Sequence, residues 1–355
     1  MRHWPTLVPV LAIALLVAAW TLPPSAVLAT FCSLGLIGAV IAAVHHAEVV
    51  ALRVGEPYAT LVLAIAITVI EVALIVSIML AGGPSKAALA RDSVYATVMI
   101  ICTGVMGGSL VLNAWRHHEQ TFRTQGAEPA LAALITMAAM VLVLPVFTTS
   151  APVGLYSPSQ LWFTALASFG LWAVFIFVQT VRHRDYFLPP PGSEGEDAHA
   201  APPSLGVTWA SFGLLLLALV AVVGLAKTLS PRIEQELAQA GAPPSVVGIA
   251  IALLVLLPET VAALRAAWAN RLQTSMNLAL GSALASIGLT IPVVVVASIW
   301  FDLPLVLGLE PKDLVLLTLA CIVSTITIGA GRANLMLGAV HLVIFAAFLF
   351  LSLVP

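Results

Sequence analysis

The chain has 355 residues, of which 61% are hydrophobic and only 8% charged. A soluble domain carries about 25% charged residues, so a mean hydropathy of +1.09 points to a lipid bilayer as the surrounding medium. That excludes a water-soluble enzyme, a nucleic-acid binder and a disordered chain, and 14 Lys+Arg against 16 Asp+Glu leave no basic excess for a polyanion.

Apolar stretches of about 20 residues cross about 30 Å of hydrocarbon. In chain order they predict eleven helices, at about 5–22, 25–47, 57–81, 93–114, 129–149, 159–181, 207–229, 244–267, 275–300, 313–329 and 333–354. Trp20 to Ser25 mimics the end of a signal peptide, but no clean A-x-A site appears, so the first stretch is kept as a helix. Trp4, Trp20, Trp115, Trp162, Trp209, Trp268 and Trp300 fall near span ends, as an interfacial aromatic belt does. Cys32, Cys102 and Cys321 lie inside apolar runs and read as small reduced core residues.

Loop charges set an expected orientation. With the N-terminus cytoplasmic, that side holds Arg2, Arg53, Arg116, Arg123, Arg182, Arg184, Arg265, Arg271 and Arg332. The other side holds Lys86, Arg91, Lys227, Arg232 and Lys312. This distribution favours a cytoplasmic N-terminus and an external C-terminus in a bacterial inner membrane.

The longest polar connection divides the chain into a leading helix (1–24), five helices (25–181), a polar linker (182–206) and five more helices (207–355). Two five-helix halves starting on opposite sides of the membrane form an inverted repeat, a plan common in secondary transporters. Gly55-Glu-Pro57 and Gly241-Ala-Pro243 open equivalent helices, and Ala64-Ile-Ala-Ile67 echoes Ile249-Ala-Ile-Ala252. Past the midpoint of each of these helices stands its only acid, Glu71 and Glu259. In the next helix of each half, Asp92 precedes Thr97 by five residues and Asn277 precedes Ser282 by five.

An acid in the membrane costs about 2.5–3.5 kcal/mol on insertion scales and is a functional-site hypothesis by default. Pro258 precedes Glu259 and removes a backbone donor, so a break or kink is expected there, with freed carbonyls lining a cavity. Carboxylates, carbonyls and hydroxyls are the hard oxygens that suit Ca²⁺ and accept Na⁺. Thr68, Asn277, Ser282, Asp92 and Thr97 are the candidate auxiliary ligands. Two bare carboxylates are neutralised by one Ca²⁺ or by two protons, and desolvation favours the neutral form, so the two loads compete. Alternate loading gives cation/proton exchange. Bland readings stand beside this: a buried Glu as a neutral hydrogen-bonder, Asp92 beside Arg91 as a solvated cap, Asn277 and Ser282 as packing residues, His341 as a core histidine.

One segment, His45-His46-Ala-Glu48-Val-Val-Ala-Leu-Arg53-Val-Gly55-Glu56-Pro57-Tyr58 with the Glu71 helix after it, closely resembles the ChaA-type bacterial cation/proton antiporters of the calcium/cation antiporter superfamily. Further matches are Pro258-Glu259, Ala263-Leu-Arg-Ala266, Met276-Asn-Leu278, Gly281-Ser282, Thr290-Ile-Pro-Val293, Gly331-Arg-Ala-Asn334 and Ala339-Val-His-Leu342. The resemblance runs from about residue 36 to the C-terminus. It implies an all-α membrane protein of eleven helices with two inverted five-helix repeats. It also implies exchange of Ca²⁺ or Na⁺ (sometimes K⁺) for protons, with Glu71 and Glu259 at the family's paired acidic ligands. Thr68-Val-Ile70 stands where many calcium exchangers carry an Asn-rich stretch, which leaves room for monovalent ions.

His45, His46, Glu48, Arg53 and Glu56 crowd the expected cytoplasmic end of the Glu71 helix. They read either as a proton-sensing entrance or as an interfacial loop with snorkelling charges. His117-His-Glu119 and 194–199 read as surface loops. An intramembrane enzyme is disfavoured: Phe122 stands where H-E-x-x-H needs its second His, and no G-x-S-x-G turn occurs. A channel using the same acids as a selectivity ring is the other rival. No nucleotide-binding loop and no cofactor motif is present, so the expected partners are the lipid bilayer, inorganic cations and protons, with the oligomeric state open.

Overall fold

The computed structural model describes residues 4–54, 58–118, 120–122, 124–187, 203–239, 241, 243 and 245–354. Among them, eleven helices are long and apolar enough to cross a membrane, in the order expected. We number them α1 (Trp4–Thr21), α2 (Ala26–Val54), α3 (Tyr58–Gly82), α4 (Leu89–His117), α5 (Ala127–Phe147) and α6 (Pro158–Arg182). Then come α7 (Leu205–Gln239), α8 (Ser245–Trp268), α9 (Leu272–Trp300), α10 (Pro311–Ala330) and α11 (Leu335–Leu353). Two helices overrun their expected ends. Glu48 and Arg53 are good helix formers, and nothing breaks α2 before residue 55; α7 likewise continues to Gln239.

The chain forms two compact units, which cut across the two halves of the sequence. The first comprises 1–86 and 199–244, and therefore holds α1, α2, α3 and α7. In it α2 packs on α1, α3 and α7. Small residues let the backbones approach: Gly35 of α2 faces Leu15, Gly38 faces Val8, and Gly224 of α7 receives Leu16. Pro9 has no N–H for the carbonyl of Pro5 four residues back. The ring of His46 takes that carbonyl, with Nε2 at 2.9 Å from Pro5 O, and pins α2 to the start of α1.

The second unit comprises 87–198 and 245–355, with α4–α6 and α8–α11. Three of its helices contain π turns: Ile100–Val105 in α4, Ala139–Val143 in α5 and Val178–Arg182 in α6. In α5 the Leu144 N–H reaches Ala139 O, five residues back, so Met140 O loses its α-helical donor. Tyr156 Oη donates to it over 2.6 Å. An extended strap, residues 303–310, ties one end of this unit together. Val306 N donates to Ala87 O, Gly308 N to Gly154 O, and Leu309 N to Leu142 O. At the other end, a two-residue antiparallel pair joins β1 (Gln120–Thr121) to β2 (Arg332–Ala333). Gly331, at φ +61°, ends α10 there, and Asn334 caps α11 by accepting from Leu337 N at 2.8 Å.

Candidate cation site

Glu71 lies 13 residues after the start of α3 at Tyr58, and Glu259 lies 14 after the start of α8 at Ser245. Each helix follows a long one, α2 and α7, and precedes another, α4 and α9. The two acids therefore hold corresponding places, and both are buried, at 2% and 7% exposure.

In the first unit, Glu71 stands between Ile70 and Leu74, and Ile75 beside them is likewise buried. Thr68 is buried one turn earlier, and its hydroxyl donates to Ala64 O at 2.8 Å. The hydroxyl hydrogen is thereby committed to the backbone, which leaves the oxygen's lone pairs as its remaining bonding capacity.

In the second unit, α8 runs unbroken through Pro258, which corrects the expected break there. A proline removes one hydrogen bond, but its fixed φ suits a helix, so the helix continues on both sides of it. The acceptor it frees is Leu254 O, a turn before Glu259. The packing of α4 on α8 sets the depth of Glu259. Gly248 lies against Asp92, Gly108 against Leu264, and Asn113 Nδ2 donates to Ala267 O at 3.1 Å. This near-constant offset brings Glu259 level with Thr103, inside the π turn of α4.

The auxiliary candidates separate along this axis. Ser282 of α9 is half-buried at about the depth of Glu259, counting back through the short turn between α8 and α9. Asn277 is nearer that turn, with Nδ2 at 3.5 Å from Phe187 O, while Gln273 Nε2 donates to Tyr186 O at 2.9 Å. Thr97 Oγ1 is buried and makes no hydrogen bond among the described residues, about 9 Å along α4 from the Thr103 level. Asp92 is level with Gly248, about 16 Å along α8 from Glu259. It pairs with Arg91 at 2.7 Å, and Arg91 also donates to Gly308 O at 3.0 Å. The structure thus groups Asp92 with Arg91, Tyr95, Glu310, Lys312 and Asp313 around a small pocket at the strap.

Of the residues expected at the entrance, the described ones, His45, His46, Glu48 and Arg53, lie in the last third of α2. His46 grips Pro5, and the His45 ring lies 5.4 Å from Trp4 and 5.6 Å from His46. Glu48 is exposed, and Arg53 Nη1 donates to Pro203 O at 3.2 Å. Glu56 lies outside the described residues, as do Glu119 and 188–202 of the linker. Sequence reading missed the polar residues that settle the interior of the second unit. Ser109 and Ser275 bond at 2.8 Å, and Ser93, Ser168, Trp172 and Thr290 carry buried polar atoms without a hydrogen bond among the described residues. A lone hydroxyl in an apolar run gives no signal of which helix it faces. No three His, Cys, Asp or Glu side chains among the described residues are placed to hold a metal ion. A cation held at either acid would therefore draw further oxygens from hydroxyls, carbonyls or water.

A model of the sodium/calcium exchanger protein family matches residues 24–181 and 210–354. The chain is 47% identical over 359 residues to the y4hA protein of Sinorhizobium fredii, covering 99% of this chain and 96% of that one. It is 33% identical over 355 residues to the sodium-potassium/proton antiporter ChaA of Escherichia coli, covering 98% and 96%. The crystal structure of the H⁺/Ca²⁺ exchanger CAX superposes with a TM-score of 0.71 at 16% identity, over 99% of this chain and 92% of that one.

Proposed function

The chain belongs to the sodium/calcium exchanger family, a family of transporters and not of enzymes, and on that premise we propose that it exchanges Na⁺ and/or Ca²⁺, with K⁺ admitted, for protons by alternating access. At the coarser level it is a multi-pass bacterial membrane protein that carries out secondary active cation antiport. The observation that carries the finer reading is the pair of buried acids, Glu71 and Glu259, at corresponding depths of α3 and α8.

Both acids bare bring two negative charges into a medium that solvates them poorly, which resists a change of side. One Ca²⁺, two Na⁺ or two protons cancel that charge. A site that changes side only when loaded exchanges one load for another and leaks neither. The Thr68 hydroxyl beside Glu71, and the Ser282 hydroxyl and Leu254 carbonyl at the level of Glu259, are the neutral oxygens we assign to a cation held at the respective acid. The lack of an Asn-rich stretch before Glu71 favours a weakly discriminating site. In the expected orientation the N-terminus is cytoplasmic and the C-terminus external.

The test is proton release from acid-loaded inverted vesicles on adding Na⁺, K⁺ or Ca²⁺, for wild type, Glu71→Gln and Glu259→Gln. Glutamine keeps the shape but can neither take a proton nor carry charge, so both variants lose at least about 100-fold of the coupled flux, the upper end of what loss of a mere outer-shell partner costs. Protons and cations compete for one site, so lower pH raises the apparent KM for the cation. Full proton-coupled transport in Glu71→Gln, or a conductance without coupling in wild type, refutes the exchanger.

A further inference from the structure

At the depth of Glu259 the backbone of α4 leaves one carbonyl over. In the π turn Ile100–Val105 the N–H of Met106 reaches Ile101 O, five residues back. The α pattern would have sent that hydrogen to Cys102 O. His341 of α11 supplies a donor instead, with Nδ1 at 2.7 Å from Cys102 O. A carbonyl only accepts, so Nδ1 carries the hydrogen, and Nε2 is the acceptor of the neutral ring. Thr327 of α10 donates to that nitrogen over 2.9 Å. His341 and Thr327 are buried, at 0% and 1% exposure. One imidazole therefore joins α11 to the Cys102 carbonyl of α4 and to the Thr327 hydroxyl of α10, and Ser324 Oγ of α10 donates a longer bond, 3.4 Å, to the same carbonyl.

This π turn touches α8, and the α4–α8 register sets Glu259 level with Thr103, the residue after Cys102. Close helix approach fixes the ring's position as well: Gly107 of α4 has the His341 Cβ and Gly338 O against it, leaving no space for a side chain. A histidine that only filled space would not need both nitrogens engaged with two other helices. A π turn is also easily lost to plain helix, since it opposes the regular pattern.

We propose that His341 is a positioning residue for the Glu259 site. By holding Cys102 O it keeps the π turn in place, and with it the face of α4 against which α8 carries Glu259. The role rests on the cation/proton exchange proposed above. Its loss shifts cation affinity and selectivity, beyond any change in the amount of folded protein.

The full chain in proteoliposomes tests this through cation-driven proton flux, with KM and maximal rate measured separately for Na⁺, K⁺ and Ca²⁺. His341→Leu leaves Cys102 O with only the long 3.4 Å hydrogen bond from Ser324 Oγ and raises KM about tenfold, the order expected for losing the shorter of a buried acceptor's two hydrogen bonds, while the maximal rate per folded protein changes less. His341→Asn places an amide N–H near the position of Nδ1 and brings KM back towards wild type. Thr327→Val keeps the Cys102 bond and leaves KM near wild type. Unchanged KM and cation order in His341→Leu overturn the proposal, as does an Asn variant no better than the Leu variant. Where the Leu variant fails to fold, His341→Gln replaces it, because its amide sits near Nε2 and misses Cys102 O. A KM higher in the Gln than in the Asn variant then supports the role, and equal values overturn it. A wild type without cation-driven proton flux refutes the exchanger and the positioning role together. Wild-type flux with unaltered His341 variants refutes the positioning role alone.

Discussion

Backbone carbonyls that a helix cannot satisfy are the residue-scale problem of this protein, because lipid offers no water to take them. Three are met by side chains from elsewhere: Pro5 O by His46, Cys102 O by His341 with a longer bond from Ser324, and Met140 O by Tyr156. Tyr156, in the loop between α5 and α6, gives the plainest test. Burial pushes its hydroxyl above the ordinary tyrosine range. The folded state thus binds its proton more tightly than the unfolded chain does. That contribution is fully present below about pH 10, the unfolded tyrosine value, and is lost as pH rises through the folded value. Tyr156→Phe leaves Met140 O without its donor and costs about 1–3 kcal/mol at neutral pH. Thermal unfolding in detergent across pH 7 to 11 checks it: a lower midpoint at neutral pH and a shallower alkaline decline are expected, and an unchanged curve refutes the role. His341 was legible in sequence as a core histidine. The carbonyl it holds was not, since a π turn is decided by tertiary hydrogen bonds that no local pattern encodes.

Eleven apolar runs were enough to announce eleven helices, because burial in lipid needs only length and apolarity. Their ends were less legible, since Glu48, Arg53 and the residues after 229 are compatible with helix and with loop alike. Pro258 was ambiguous in the same way: its lost hydrogen bond was readable, but whether the helix continues past it was not. Close approach between helices is likewise a tertiary matter. An added Cβ on Gly288 of α9 overlaps Trp172 of α6, whereas nothing lies within 4 Å of one on Gly170. Gly288→Val therefore costs about 1–3 kcal/mol or more through overpacking. Gly170→Ala, in the middle of α6, is neutral or stabilising by about 0.5–1 kcal/mol. Midpoints in detergent that fall for neither variant, or for both equally, contradict this packing.

At the scale of the whole molecule, the sequence halves and the compact units do not coincide. α7, from the second half, packs with α1, α2 and α3, while α4, α5 and α6 from the first half pack with α8 to α11. Orientation is a property of the whole chain too, set by the excess of basic residues on one side. It is tested with a thiol reagent that cannot cross the membrane, after replacing the three native cysteines. Val153→Cys between α5 and α6 is expected to react in intact cells, and Ala269→Cys between α8 and α9 only after lysis; the reverse pattern inverts the proposed topology. By itself the sequence determined the medium, the helix count and the two acids, because each is a matter of local composition or of one costly residue in an apolar run. Only the tertiary structure decided that Asp92 belongs to the Arg91 pair, that His46 binds Pro5 and that His341 takes the carbonyl of the π turn. Those outcomes depend on helix register and on which backbone atoms are left unsatisfied, and both exist only once the helices have packed.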